Sequence, residues 1–259
     1  MLDNRDGQFD DFDKSLLSRY FARRRISIGA DGVIFVESGS LADYRMNYFN
    51  SDGSWAEICG NGARCTAYVI AGWTGLNEMN IETGAGVIHT WIDGNSISVG
   101  MSAGKLVEPN IELSIDKLPV LCDFYDIGVP HAVTIVDNLD EIPVERWGRE
   151  IRYHRRFMPA GINADFVQVM DSHRISIRTY ERGVECETLA CGTGVIASAI
   201  SATRKKLVEP LVEVEVRLPD ILTVDFKMQS SGSAENILFS GKVSLSFLGE
   251  IEIPDELKL

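Results

Sequence analysis

The sequence predicts an α+β fold made of two similar halves, each containing a helix that follows a distinctive motif. Short runs of branched and aromatic residues, separated by Gly, Asp and Asn, occur along most of the 259-residue chain. Helical patterns are few, and they do not alternate with the strand patterns as they do in parallel β-α-β proteins. A Cys-Gly-x-Gly segment followed by small and apolar residues occurs twice, about half the chain apart. This repetition indicates a duplicated half.

In chain order, the first predicted element is a helix from Asp13 to Arg25, because a capping residue precedes apolar residues at helical spacing. The two Cys-Gly-x-Gly segments each precede a helix-compatible run, over residues 63–73 and 195–203. Runs of strand character fill much of the remainder. They cover residues 33–37, 44–49, 97–99, 132–136, 166–170, 174–180, 211–218 and 221–228.

Net charge, apolar runs and cysteine spacing exclude several classes of protein. The formal net charge of −13 argues against binding to nucleic acid or to an anionic membrane surface. No apolar run has the length of a spanning helix, and the polar residues 1–6 do not resemble a signal peptide. The five cysteines do not match a secreted disulfide framework, and no C-x2-C pair indicates a metal site. We therefore expect a cytoplasmic protein that acts on a small molecule without a metal.

The repeated motif has a chemical meaning. A helix start carries unpaired backbone N–H groups and a partial positive charge, and glycines allow a carboxylate to approach them. A cysteine at such a place has a stabilised thiolate. Cys59 and Cys191 occupy these places, so together they can remove a proton from one face of a carbon and return one to the other. The alternative is that both cysteines are small buried hydrophobic residues, as the other three are expected to be.

Several polar residues lie where a plain core would not place them. Asn50 and Asn163 are either turn residues or ligand donors, and His131 is either structural or functional. Glu181 and Arg182 form either an exposed ion pair or an orienting carboxylate with a carboxylate-binding cation.

Two long segments resemble the signatures of the diaminopimelate epimerase family, a group of cofactor-independent amino-acid epimerases. The first runs through Asn50-Ser51-Asp52-Gly53-Ser54 to Glu57-Ile58-Cys59-Gly60-Asn61-Gly62. The second runs through Glu181-Arg182-Gly183-Val184 to Glu187-Thr188-Leu189-Ala190-Cys191-Gly192-Thr193-Gly194. The resemblance extends from about residue 5 to the C-terminus.

The resemblance implies a role for each matching residue. The acid/base pair would be Cys59 and Cys191, flanked by His131 and Glu181. The unreactive amino-acid end of the substrate would be held by Asn50, Asn163 and Arg182, with Glu181 also contacting the substrate. Backbone groups at Gly60, Asn61, Gly192 and Thr193 would hold the reacting carboxylate. The substrate would be diaminopimelate, with no pyridoxal phosphate and no metal, in the pathway to lysine.

The resemblance also implies the architecture. Each half would be a curled mixed β-sheet or barrel around a central helix, with the active site in the cleft between the halves. The N-terminal half would comprise residues 1–103 together with 249–259, whose strand near 249–253 would return to it, and the C-terminal half residues 104–248. A homodimer is left open.

Two departures keep alternatives open. The family usually begins with a G-x-G-N-D-F strand whose Asn contacts substrate, and this sequence starts just after that point. Val129 stands where one branch of the family has Asn. The alternatives are a racemase or isomerase of the same fold acting on another amino acid, such as histidine or proline, and an inactive truncated relative that acts as a binding protein.

Overall fold

Strands dominate the part of the chain that the computed structural model describes, which is residues 1–254, 257 and 258. The chain divides into two units by its internal contacts, Met1–Val99 with Lys242–Leu259, and Gly100–Gly241. Within the described residues each unit combines β-strands with two α-helices, so the predicted α+β class is confirmed. The domain bounds expected from the sequence, 1–103 with 249–259 and 104–248, stay a prediction.

The first unit is a mixed sheet with two helices. Its strands pair in the order β1-β2-β3-β5-β6-β7, with β4 added to β3, and the β1–β2 and β3–β5 pairs are parallel. The strands are β1 Leu2–Asp3, β2 Gly32–Ser38, β3 Tyr44–Asn50, β4 Trp55–Ala56, β5 Glu78–Thr83, β6 Gly86–Asp93 and the first residues of β7 Ser96–Ile115. The helices are α1 Lys14–Ala22 and α2 Gly60–Thr74.

Local sequence explains where these two helices begin and end. The side chain of Asp13 accepts hydrogen bonds from the backbone N–H groups of Ser15 and Leu16, which caps α1. Helix α2 ends at Gly75, which has a φ of 76° and adopts the left-handed conformation that glycine tolerates best. Small residues on the buried face of α2 let it pack against β2, β3 and β6.

The second unit is a ring of strands. The pairings run β7-β15-β14-β13-β11-β10-β9-β8, and β8 pairs again with β7, so the order closes on itself. Short β12 is added to β11. The strands after β7 are β8 Leu118–Asp126, β9 Pro130–Ile135, β10 Asn163–Val169, β11 Arg174–Glu181, β12 Cys186–Thr188, β13 Val212–Glu215, β14 Ile221–Met228 and β15 Ala234–Lys242. The helices are α3 Val144–Arg152 and α4 Gly192–Arg204.

Helix α4 forms the core of the second unit. Every residue from Gly194 to Ala202 is buried, and the apolar ones pack against inward-facing residues of β8 to β11, β13 and β14. A helix that is apolar on all sides is expected only where protein surrounds it. The predicted central helix of this half is therefore confirmed.

The structure tests two further expectations, a strand over residues 249–253 and a chain without membrane-spanning helices. Within the described residues the last strand is β15, which ends at Lys242. The strand expected over 249–253 is therefore wrong, although this segment does belong to the first unit. Its alternating Glu and Ile residues suit a strand, but they have no strand partner. None of the helices in the described residues is long and apolar enough to span a membrane.

Candidate active site

Cys59 lies at the start of α2 in the first unit. It is the N-cap residue, with an extended backbone (φ −137°, ψ 113°), and its Sγ accepts the backbone N–H of Gly62 at 3.4 Å. A Cβ on Gly62 would lie 3.3 Å from Cβ of Cys59 and 3.1 Å from Ile34, which is closer than ordinary packing. The second glycine of the motif therefore allows the thiol to lie against the helix start. No acidic side chain lies in the first turn of α2, so none competes with an anion at this helix start.

A positively charged side chain, that of Arg64, lies one turn further along the same helix as Cys59. Arg64 is buried and donates to Oδ1 of Asn61 at 2.8 Å. Burial lowers the pKa of Arg64, whereas the neighbouring Cys65 and Cys59 raise it. The pKa of Cys65 is raised by burial, so this second thiol of the helix is held in its neutral form.

Asn50 ends β3 in the same unit and makes local contacts. Its backbone N–H donates to the carbonyl of Ser54 at 2.8 Å, and its Nδ2 donates to the hydroxyl of Ser54 at 3.0 Å. The turn is completed by Gly53, whose φ of 83° lies in the left-handed region that favours glycine. The interpretation of Asn50 as a turn residue is therefore confirmed, and its half-buried side chain stays a candidate ligand donor.

Cys191 occupies the equivalent place at the start of α4 in the second unit, but its environment differs. The residue is buried, and burial together with the carboxylates of Glu181 and Asp165 raises the pKa of the Cys191 thiol to about 12. A hydrogen bond with Thr193 and the helix backbone lowers this pKa by less. The expectation of a stabilised thiolate is wrong for Cys191, because desolvation and two negative neighbours outweigh the helix start.

A buried network runs from Cys191 into the sheet. The thiol lies 3.5 Å from the hydroxyl of Thr193, which lies 2.9 Å from Nε2 of His131. Nδ1 of His131 lies 2.7 Å from Oδ2 of Asp165, and Oδ1 of Asp165 accepts the hydroxyl of Thr179 at 2.7 Å. His131 and Asp165 are both 0% exposed, so the loss of either partner would leave a buried polar group without its hydrogen bond.

Strand register explains why these groups meet. Asn163 pairs with His131 across β10 and β9, and Asp165 is two residues further along β10. Residues two apart on a strand share a face, so both β10 side chains point toward the same side as the imidazole. The sequence motifs did not single out Asp165 and Thr179. The signal was present, because an Asp in the apolar run Ala164 to Val167 needs a buried partner.

The remaining predicted residues surround this network. Asn163 accepts the backbone N–H of Arg182 at 2.7 Å and donates to the carbonyl of Pro130 at 3.1 Å. The guanidinium of Arg182 donates to the carbonyl of Ala160 at 3.3 Å. Glu181 ends β11, and burial raises the pKa of its carboxyl. The exposed ion pair considered for Glu181 and Arg182 is not observed; Glu181 instead lies close enough to Cys191 and His131 to influence charge there.

Each unit therefore assembles its own predicted residues. The first presents Gly60 and Asn61 as the opening residues of α2, after Cys59. The second presents Gly192 and Thr193 as the opening residues of α4, after Cys191, and adds His131, Asn163, Glu181 and Arg182. No group of three or more His, Cys, Asp and Glu side chains suited to a metal ion occurs within the described residues.

Comparison with known proteins agrees with the motifs. A model of the family described as diaminopimelate epimerase matches residues 1–107 and 124–230. The chain is 37% identical to the diaminopimelate epimerase of Aquifex aeolicus, over 97% of this chain and 92% of that protein. It is 36% identical to that of Chlorobaculum tepidum, over 87% of this chain and 88% of that protein.

A solved structure shows the same fold at lower identity. A phenazine biosynthesis protein of the PhzF family from Bacillus anthracis superposes with a TM-score of 0.68 and 18% identity, covering 93% of this chain and 88% of that one. At this identity the likeness concerns the fold alone. The family match over most of the chain, together with the two cysteine-capped helices, shows that this chain belongs to the diaminopimelate epimerase family.

Proposed function

We propose that this chain interconverts LL- and meso-diaminopimelate by a two-base mechanism, in the pathway to lysine. One sulfur, as thiolate, takes the proton from the α-carbon, and the other, as thiol, gives a proton to the opposite face. The two sulfurs then hold each other's starting protonation state, so the return reaction uses the same groups in exchanged roles. The observation that carries the proposal is the pair of cysteine-capped helix starts in a chain of this family.

The free chain begins the cycle with a defined donor. Because burial, Glu181 and Asp165 raise the pKa of Cys191 to about 12, Cys191 carries its proton at neutral pH. It therefore serves first as the acid, and Cys59 serves first as the base. The N–H groups that open α2 and α4 would hold the reacting carboxylate, where negative charge grows as the α-carbon loses its proton. Asn50, Asn163 and Arg182 would hold the distal amino-acid end.

Deuterium uptake from heavy water at the α-carbon tests the reaction. We expect the chain to incorporate deuterium into diaminopimelate, and to do so far more slowly or not at all with proline or histidine. Cys59→Ala and Cys191→Ala should each abolish interconversion of the LL and meso forms by removing the proton carrier of one face, whereas Cys65→Ala and Cys186→Ala, in the same two units, should keep most of it. Near wild-type interconversion by Cys191→Ala would refute the two-base mechanism.

The proposal extends to cofactor, compartment and assembly. The reaction as written needs no group beyond the two thiols, so activity should survive chelators and carbonyl reagents that trap pyridoxal phosphate. All five cysteines are free, which suits the reducing cytoplasm.

Three apolar side chains near the C-terminus support association of two copies, because they are exposed: Leu245 (51%), Phe247 (65%) and Leu248 (85%). Light scattering on the wild type and on Phe247→Ser tests this homodimer.

A further inference from the structure

We propose that Asp165 is a positioning residue that fixes the tautomer of His131. In that tautomer the unprotonated Nε2 of His131 can take the proton of Cys191 by way of the Thr193 hydroxyl. This inference rests on the proposed function, since it explains how the free chain, in which Cys191 is protonated, reaches the Cys191 thiolate that must start the reaction on the opposite stereoisomer.

The contact between Asp165 and His131 sets the tautomer. Oδ2 of Asp165 lies 2.7 Å from Nδ1 of His131, and Oδ1 accepts the hydroxyl of Thr179 at 2.7 Å. An ionised carboxylate can only accept hydrogen bonds, so Nδ1 must carry a proton. A neutral imidazole carries one proton, and Nε2 is therefore an acceptor. Nδ2 of Asn163, 3.4 Å from Nε2, adds a second donor on that side.

The same assignment of donors and acceptors fixes the direction of the S–H group of Cys191. Because Nε2 of His131 accepts, the Thr193 hydroxyl, 2.9 Å away, must donate to it. The oxygen of Thr193 then offers its lone pairs to Cys191, 3.5 Å away, and the S–H group donates. Every hydrogen in this series of hydrogen bonds therefore points from the sulfur of Cys191 toward the carboxylate of Asp165.

This direction permits a balanced proton transfer. The S–H bond of Cys191 breaks as its proton joins the oxygen of Thr193, and the original O–H bond of Thr193 breaks as that proton joins Nε2 of His131. The products are a thiolate, an unchanged threonine and an imidazolium. Asp165, in direct contact with the ring, offsets the new positive charge. In the chain without substrate, a thiol whose pKa is about 12 needs such an acceptor to become a thiolate near neutral pH.

Nitrogen-15 NMR of the histidine rings, recorded without substrate, tests the tautomer. In the wild type we expect His131 to be protonated at Nδ1, with its signals assigned by their loss in His131→Gln. In Asp165→Asn, Thr179 still donates to the side-chain oxygen, which turns the amide NH2 toward Nδ1. The ring should therefore switch to the Nε2–H form, and kcat should fall roughly 10²- to 10⁴-fold with little change in KM.

Asp123→Asn is the matched control, because Asp123 is another fully buried carboxylate of the same unit, bound to Ser201 and Arg204 away from this network. It should lower thermal stability but keep the His131 tautomer and most of kcat. Retention of Nδ1–H by His131 in Asp165→Asn, or an unchanged kcat, would overturn the inference. A wild type that shows the expected tautomer but no deuterium uptake would instead count against the proposed function.

Thr193 supplies a second test that does not depend on the folding of Asp165→Asn. Thr193→Val removes the hydroxyl but keeps the backbone N–H and the shape, and it should lower kcat by a similar factor while His131 stays protonated at Nδ1. Thr193→Ser restores a hydroxyl and should restore most of kcat. Equal activity of the valine and serine variants would refute the transfer through Thr193.

Discussion

Cys191 illustrates how burial overrides a local rule. The sequence places it at a helix start, where the helix field favours a thiolate. The fold also buries it beside Glu181 and Asp165, and these effects raise its pKa to about 12. The helix field acts in the predicted direction, but it is the smaller effect. A cysteine that is protonated at rest suits an acid in a reaction where one of two thiols must begin as the donor.

The raised pKa of Cys191 predicts how fast this thiol is alkylated. Since only the thiolate reacts, the iodoacetamide rate at Cys191 should stay low at neutral pH and rise roughly tenfold per pH unit toward pH 12. Glu181→Gln removes a negative neighbour and should speed alkylation at pH 9 roughly three- to tenfold. Peptide mass spectrometry measures both rates. The exposed Glu209→Gln serves as control and should leave the rate unchanged; a plateau near neutral pH would show that the pKa is not raised.

The second glycine of the later motif predicts a severe substitution. A Cβ on Gly194 would collide with Oδ1 of Asp165 and lie 3.3 Å from the hydroxyl of Thr179. Gly194→Ala should therefore cost about 1–3 kcal/mol of unfolding free energy and lower kcat as the Asp165 carboxylate shifts. Gly72→Ala is the control, because a Cβ there meets no heavy atom within 4 Å. It should stabilise α2 by up to about 1 kcal/mol. Denaturant titrations that gave the same sign for both would contradict this packing.

The sequence singled out the two cysteines, the helix starts and the candidate polar ligands, because each stands in a local motif; the structure confirms the helix starts. It did not predict Asp165 and Thr179, because their role depends on register between strands. Asp165 follows Asn163 by two residues, but nothing local to β10 indicates that its neighbour is the strand that carries His131. Pairings of this kind are long-range, and a single sequence does not specify them.

At the scale of elements, three of the four α-helices and most of the predicted strands lie within a few residues of their predicted bounds. Strands β5, β6, β8 and β15 were not predicted, and neither were helix α3 and most of β7. Helix α3 is short, and it contains Gly148, which is required because a Cβ there would overlap the ring of Tyr180. Strand β7 contains Pro109 and shifts register between Leu106 and Glu108 and again between Glu108 and Ile111. These irregularities break the alternation by which strands are recognised.

Helix α1 offers a prediction at this scale. Oδ1 of Asp13 accepts the backbone N–H groups of Ser15 at 2.9 Å and Leu16 at 3.1 Å, which have no partner within the helix. Asp13→Ala should lower the unfolding free energy by about 1 kcal/mol. The neighbouring Asp11→Ala, at an exposed position before the helix, should change it by less than about 0.5 kcal/mol. Equal effects of the two variants in urea titrations would show that the cap is not stabilising.

At the scale of the whole molecule, each unit has a core of its own. The core of the second unit centres on α4 and the ring of strands around it, and a further cluster packs α3 against β10 and β11. The first unit has a cluster in which α1 covers β2 through Leu17, Phe21 and Phe35. Proteins with separate cores often fold in separate steps, because each core buries enough apolar surface to form by itself.

The second unit should therefore fold alone. It is one continuous stretch, Gly100–Gly241, and its two ends lie on the neighbouring strands β7 and β15. We expect this fragment to unfold cooperatively on heating and to keep His131 protonated at Nδ1, because all members of that network lie within it.

The same fragment should fail to interconvert the LL and meso forms of diaminopimelate, because it lacks Cys59. A matched fragment that stops at Arg204, the last residue of α4, loses the strands that close the ring and should be unfolded by circular dichroism. If fragment 100–241 melts without a cooperative transition, the two cores depend on each other, and the halves predicted from the repeated motif are not independent folding units. If it folds and also interconverts the two forms, a single thiol is sufficient, and the requirement for both Cys59 and Cys191 must be abandoned.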